Sequence, residues 1–268
     1  MIELFEQNIR TNERQSSKGN QLKWLNNGTW YKADYTGYEG LAEYVISGLL
    51  FHSNLKPEEY VAYQTEEIYY RQTRYRACKC PNFLPDNWKL ITLERLFQSI
   101  YGKSLNKAIY SINDHTDRMR FLVNQTIRIT NLKDFGTYMS KLMTIDALFL
   151  NEDRHTHNIA VLLDNAGTYY YCPIFDNGAA LLSDTTMDYP MNAGLNELLE
   201  KPKAKTISQD FDEQLDIAEK LYGQHMKFSY HIAEIDAILS EELYYPDDMK
   251  QRVRDLIMMQ RRKYQYLF

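Results

Sequence analysis

Asn151-Glu152-Asp153-Arg154-His155-Thr156-His157-Asn158, followed at a distance by Asp176-Asn177-Gly178, is the pair of stretches on which the fold turns. The first puts Asp153 and Asn158 five residues apart in a short polar loop, directly after a long apolar helical pattern. A strand-like run at 159–163 follows, then a turn at Asp164-Asn165-Ala166-Gly167. A second strand-like run, 169–175, delivers Asp176 with a glycine two residues later. Asp, Asn and Gly are turn formers, so Asp-Asn-Gly alone reads as a hairpin corner, and Asp-Arg-His alone as a solvated loop. In this order, with strands between them, they are much harder to obtain by chance.

Phosphoryl transfer needs these groups. One carboxylate accepts or orients the proton of the attacking hydroxyl, while an Asn oxygen and a second carboxylate hold magnesium against the nucleotide phosphates. Protein kinases place the catalytic Asp and the metal-binding Asn five apart and follow them with Asp-x-Gly. On that spacing Asp153 is the candidate base, and Asn158 and Asp176 are the candidate metal ligands.

Asn-x-Asp-Arg-His-x-x-Asn resembles the catalytic loop of the HipA-like serine/threonine kinases, the CtkA-type kinases among them; phosphoinositide kinases carry a related Asp-Arg-His-x-x-Asn. A second match, Ser16-Ser17-Lys18-Gly19-Asn20-Gln21-Leu22-Lys23, is similar to the HipA phosphate loop, Ser-x-x-Gly-x-Gln-x-Lys. The resemblance runs from about residue 14 to the end. It implies a two-lobed, protein-kinase-like α+β fold, with a small β-rich N-lobe and a larger, mainly helical C-lobe. It also implies ATP and Mg²⁺ (or Mn²⁺) as cofactors, and a phosphate loop formed by Ser16, Ser17, Gly19, Asn20 and Gln21, with autophosphorylation at one of the serines. Full-size HipA proteins carry an extra N-terminal subdomain, for which these 268 residues are expected to leave no room.

Read by themselves, residues 7–20 are a polar loop in which Gly19 lets the backbone approach a phosphate. Runs at 21–25 and 29–33, joined by Asn26-Asn27-Gly28, read as a hairpin. Lys32 then lies on the strand after the loop, where a kinase lysine meets the phosphates; the alternative is an exposed strand lysine. The pattern at 38–51 is helical, with Glu39 and Glu43 four apart on one face. Either could pair with Lys32, and the resemblance favours Glu43.

Runs at 60–68 and 69–78 read as two further strands. Cys80-Pro81-Asn82-Phe83-Leu84-Pro85 then breaks the pattern and is taken as the hinge, with a nucleotide base expected against backbone near 79–82. The expected division is an N-terminal lobe over 1–80 and a C-terminal lobe over 81–268. Helices are expected at 92–101 with Thr92 as cap, at about 114–129, from 131 into the catalytic loop, and at about 208–222, 228–240 and 246–266. Residues 179–194 read as an ordered loop equivalent to an activation segment. The basic stretch 201–205 reads as a solvated turn, with substrate contact the lesser alternative.

A net charge of −5 gives no basic character for direct nucleic-acid binding. Three cysteines, with Cys78 and Cys80 one residue apart, make a poor disulfide framework and lack a second pair for zinc. The start shows no basic region followed by an apolar stretch, and no apolar run is long enough to span a bilayer. The expectation is a cytoplasmic protein without membrane contact, export by a signal-free route remaining open. It is read as a kinase acting on Ser or Thr of an unidentified protein. Rival readings are a nucleotide-binding pseudokinase, a toxin–antitoxin component with an antitoxin-like or DNA-binding partner, and a small-molecule or phosphoinositide-type kinase.

Overall fold

A computed structural model describes residues 2–5 and 21–268. The chain opens with β1 (Ile2–Glu3), β2 (Lys23–Asn26), β3 (Thr29–Ala33), α1 (Glu39–Phe51), β4 (Gln64–Tyr70), β5 (Thr73–Pro81) and β6 (Lys89–Thr92). Four helices follow: α2 (Leu93–Tyr101), α3 (Leu105–Tyr110), α4 (His115–Thr130) and α5 (Phe135–Phe149). After them come β7 (Ala160–Leu163), β8 (Tyr169–Tyr171), α6 (Leu195–Leu198), α7 (Phe211–Tyr222), α8 (Ile232–Glu241) and α9 (Asp247–Lys263).

The contacts divide the chain into two compact units, each built from separate stretches. The first comprises the described parts of Met1–Phe83 with Phe175–Pro202 and Lys227–Phe268; the second comprises Leu84–Ile174 and Lys203–Met226. A single cut at residue 80 does not describe this partition, because late elements pack on early ones. Tyr44 Oη donates to the Ile238 carbonyl at 3.1 Å, and Tyr245 Oη to Asp34 at 2.7 Å.

In the first unit the sheet order is β1-β4-β5-β3-β2. Asn27 and Gly28 (φ 47° and 72°) form the two-residue turn that the Asn-Gly pair requires, with Asn26 opposite Thr29. The β4–β5 turn uses Arg71 and Gln72 at φ 47° and 63°, residues with no turn signature, so the two strands lie a few residues beyond their expected bounds. Leu4, Trp24, Tyr31, Ala33, Ile68, Tyr70 and Ala77 form one buried cluster on the sheet. Helix α1 sits against β5 through Gly40, where a Cβ would lie 2.8 Å from the Ala77 carbonyl carbon. A side chain there would push the helix off the strand.

The second unit joins a three-stranded sheet, order β6-β7-β8, to α2–α5 and α7. Sequence periodicity missed β6 and α3, which at four and six residues are too short to display a period. The Thr92 hydroxyl caps α2 by accepting from Arg95 N at 3.3 Å, as expected. Gly136 lets α5 and α7 meet, since a Cβ there would fall 2.3 Å from the Tyr222 ring. Among the described residues no helix is long and apolar enough to cross a membrane.

Candidate active site

Helix α5 delivers the polar loop. It ends where Leu150 adopts a left-handed φ of 57°, and the Asp146 carbonyl then accepts from both Leu150 N and Asn151 N. Asp146, on the last turn, is fully buried and receives Arg154 Nε at 3.2 and 3.1 Å on its two oxygens and Asn151 Nδ2 at 3.1 Å. Burial pushes the Asp146 carboxyl above the usual carboxylate range, although Arg154 and Asn151 oppose that shift. Arg154 Nη1 also donates to the Asn158 carbonyl, 3.1 Å. A buried arginine thus ties the far end of the loop to the helix that starts it.

On this scaffold Asp153 and Asn158 meet. Asn158 Nδ2 donates to Asp153 Oδ2 at 3.0 Å and to the Asp153 carbonyl at 2.8 Å. With its nitrogen so engaged, Asn158 has its oxygen left as the atom able to take a cation. The loop is also pinned from α2 and α3: Glu94 Oε2 accepts from the Thr156 hydroxyl and from Asn106 N, both at 2.9 Å. His155 Nδ1 accepts from His157 N at 3.2 Å, and its Nε2 lies 3.7 Å from Asp153 Oδ1. His157 is exposed.

The first unit holds the other half of the expected set. Lys32 Nζ lies 2.7 Å from Glu43 Oε1 and 2.7 Å from Asp176 Oδ1. Lys32 is buried, unlike an ordinary strand lysine. Burial would lower its pKa, but the carboxylates of Asp176 and Glu43 outweigh that and hold the ammonium well above its ordinary value. Glu43 Oε2 also accepts from Asn177 N at 2.9 Å, linking helix α1 to Asp176-Asn177-Gly178. Glu39, the other helix carboxylate, turns instead to the loop before α1, accepting from Thr36 N (2.8 Å) and Gly37 N (3.1 Å).

Asp176 itself takes φ 62°, an uncommon conformation that recurs at functional sites. The segment beyond it is fixed through the backbone. Leu181 and Leu182 are both left-handed (φ 54° and 56°), Tyr38 Oη donates to the Leu181 carbonyl at 2.6 Å, and Ser183 Oγ donates to the Gly178 carbonyl at 2.6 Å.

Gln21 is half-buried just before β2; Ser16, Ser17, Gly19 and Asn20 lie outside the described residues. Sequence reading missed Asp146 and Glu94 as anchors. Asp146 carries a signal in retrospect, as a lone acid inside an otherwise apolar helix. The stretch expected to be a solvated turn is instead sewn to the loop. Lys203 N donates to Glu152 Oε1 at 3.0 Å, the Thr206 hydroxyl donates to the Arg154 carbonyl at 2.6 Å, and Lys205 Nζ comes within 3.7 Å of Asp153 Oδ1.

No protein-family model matches this sequence, and no curated protein matches it. Solved structures do. The proinflammatory kinase CtkA of Helicobacter pylori matches with a TM-score of 0.62 at 17% identity, over 98% of this chain and 95% of that one. HipA from the toxin–antitoxin system of Shewanella oneidensis MR-1, solved with HipB and operator DNA, matches with a TM-score of 0.55 at 12% identity, over 98% of this chain and 68% of that one. The fold is that of the HipA-like kinases. The kinase-like α+β class expected from the sequence is therefore the one observed.

Proposed function

We propose that this HipA-like chain is an ATP- and Mg²⁺-dependent kinase that transfers the γ-phosphoryl group to a Ser or Thr hydroxyl of a protein. The observation that carries the reading is the buried Lys32 ammonium held between Glu43 and Asp176 at 2.7 Å each. A buried lysine so placed, one carboxylate on a helix and the other in Asp-x-Gly, is the arrangement with which kinases aim a cation at nucleotide phosphates. Asp153 acts on the acceptor hydroxyl, taking its hydrogen bond and then its proton. Asn158 keeps that carboxylate turned by its 3.0 Å hydrogen bond.

The donor set fits a hard cation: the Asn158 oxygen and the Asp176 carboxylate are oxygen-only ligands that suit Mg²⁺ or Mn²⁺ rather than zinc. Mg²⁺ is ordinarily held by one or two protein oxygens together with phosphate and water, so a cluster of three acidic side chains is not needed. When bound with ATP, the ion neutralises charge on the phosphate oxygens. Lys32 contacts those phosphates, and Ser16 or Ser17 is a site of self-modification.

HipA of Shewanella was solved with HipB, which supports a search for an antitoxin-like partner protein of this chain. Labelled ATP, magnesium and a cell lysate, incubated with wild-type chain and with Asp153→Asn, test the reading. Label on discrete proteins with wild type alone supports it; label with neither, or equally with both, ends it.

A further inference from the structure

Lys205 occupies a built position. Its neighbours Ala204 and Thr206 are both 1% exposed, and the chain around it is fixed on three sides. The Lys205 carbonyl accepts from Tyr110 Oη at 3.0 Å, the Ile207 carbonyl accepts from Arg118 Nη1 at 2.8 Å, and Thr206 donates to the Arg154 carbonyl of the polar loop. The backbone is thereby set, while the side chain remains 41% exposed and reaches towards Asp153.

The distance is informative. Lys32 closes on its carboxylates to 2.7 Å, the length of a charge-assisted hydrogen bond, whereas Lys205 Nζ stops 3.7 Å from Asp153 Oδ1. The ammonium is close enough to be felt by the carboxylate, yet it has not committed its protons there. Asn158 donates a hydrogen bond to Oδ2 of the same carboxylate.

Transfer to a hydroxyl beside Asp153 brings a phosphoryl group, with charge on its three equatorial oxygens, next to a carboxylate. Two like charges that close repel, and a cation between them removes the repulsion. His155 lies equally near, but its Nδ1 is engaged by the His157 backbone N–H.

We propose that Lys205 is a further catalytic residue, the cation that holds the transferring phosphoryl group beside Asp153; this rests on the kinase reading above. In the step, the bond between the γ-phosphorus and the β,γ-bridging oxygen breaks and a bond from the acceptor oxygen to phosphorus forms. The hydroxyl proton passes to the Asp153 carboxylate and ADP leaves. Lys205 keeps its three protons and contributes hydrogen bonds and charge only.

The test uses the full chain with γ-labelled Mg-ATP, following label appearing in phosphate or on the chain itself. Lys205→Met is expected to lower kcat about 100-fold with KM for ATP within about threefold, and Lys205→Arg, which keeps the charge, to recover about tenfold of that loss. The melting temperature of both variants should stay near that of wild type, as befits a half-exposed side chain. Lys205→Met turning over within threefold of wild type would overturn the proposal. So would equal losses in both variants accompanied by a lowered melting temperature, which marks a structural role. If wild type transfers no more label than Asp153→Asn, the kinase reading itself fails and this proposal with it. An active wild type with an unaffected Lys205→Met removes the proposal alone.

Discussion

Asn158 and Asp153 are joined side chain to side chain at 3.0 Å, with the Asn158 amide nitrogen as donor. Asp153→Asn replaces the acceptor by a group of the same shape that can still be met through its oxygen. The fold and ATP binding should therefore survive, while a carboxylate that takes the hydroxyl proton is gone. Transfer of label from Mg-ATP is expected to fall roughly 10²–10⁴-fold with little change in melting temperature. A rate within tenfold of wild type would remove Asp153 from the role.

Asp176 divides its work between Lys32 and, on the proposed reading, magnesium. ATP should raise the melting temperature weakly without magnesium and strongly with it. In Asp176→Ala the magnesium-dependent part should vanish, whereas Lys32 retains Glu43 as a partner. Differential scanning fluorimetry with ATP, with and without Mg²⁺, reads this directly, and an unchanged shift in the variant would place the metal elsewhere.

Glu43 is 1% exposed and serves both the Lys32 ammonium and the Asn177 amide. Glu43→Ala removes the carboxylate that receives the Asn177 amide and leaves the buried Lys32 ammonium with Asp176 alone, so stability should fall by about 1–3 kcal/mol in urea unfolding. Glu39→Ala should cost distinctly less, because Glu39 caps only its own helix and the loop before it. Equal losses from the two variants would contradict the pairing.

Asp34 gives a pH dependence. Burial and the nearby Glu39 push its carboxyl up to about 8, against the hydrogen bonds it receives from Tyr245 and Gly40 and the charge of Arg76. The folded chain thus holds a proton that the unfolded chain releases near the ordinary carboxylate value of about 4. That contribution is fully present below about pH 4 and is lost as pH rises towards the folded value, at no more than about 1.4 kcal/mol per pH unit. Stability measured from pH 4 to 8 should therefore decline less in Asp34→Asn than in wild type. Parallel curves would show that Asp34 does not hold the proton.

Much of this arrangement is legible in the sequence. The Asn27-Gly28 turn and the Thr92 cap each carry local chemistry that fixes one outcome. Spacing alone put Asp153 and Asn158 in one short loop. What was not legible is long-range. Lys205 reaches Asp153 across more than fifty positions, and Glu94 reaches Thr156 across 62, through segments with no signature of their own. The β4–β5 turn on Arg71 and Gln72 escaped for the opposite reason: a local conformation that those residue types do not announce. Choosing Glu43 over Glu39 needed the resemblance, since helical spacing offers both.

The Arg154–Asp146 pair also decides how the loop yields. Surface loops ordinarily open in solution at small free-energy cost, long before the elements they connect. Here the guanidinium spans from the last turn of α5 to the Asn158 carbonyl, so the loop cannot swing away without baring an unpaired charge. Loop and helix should form one cooperative unit. In deuterium exchange the amides of Asn151, His155 and Asn158, whose acceptors lie within that unit, would report protection close to that of α5, and denaturant would extinguish turnover and the helix together.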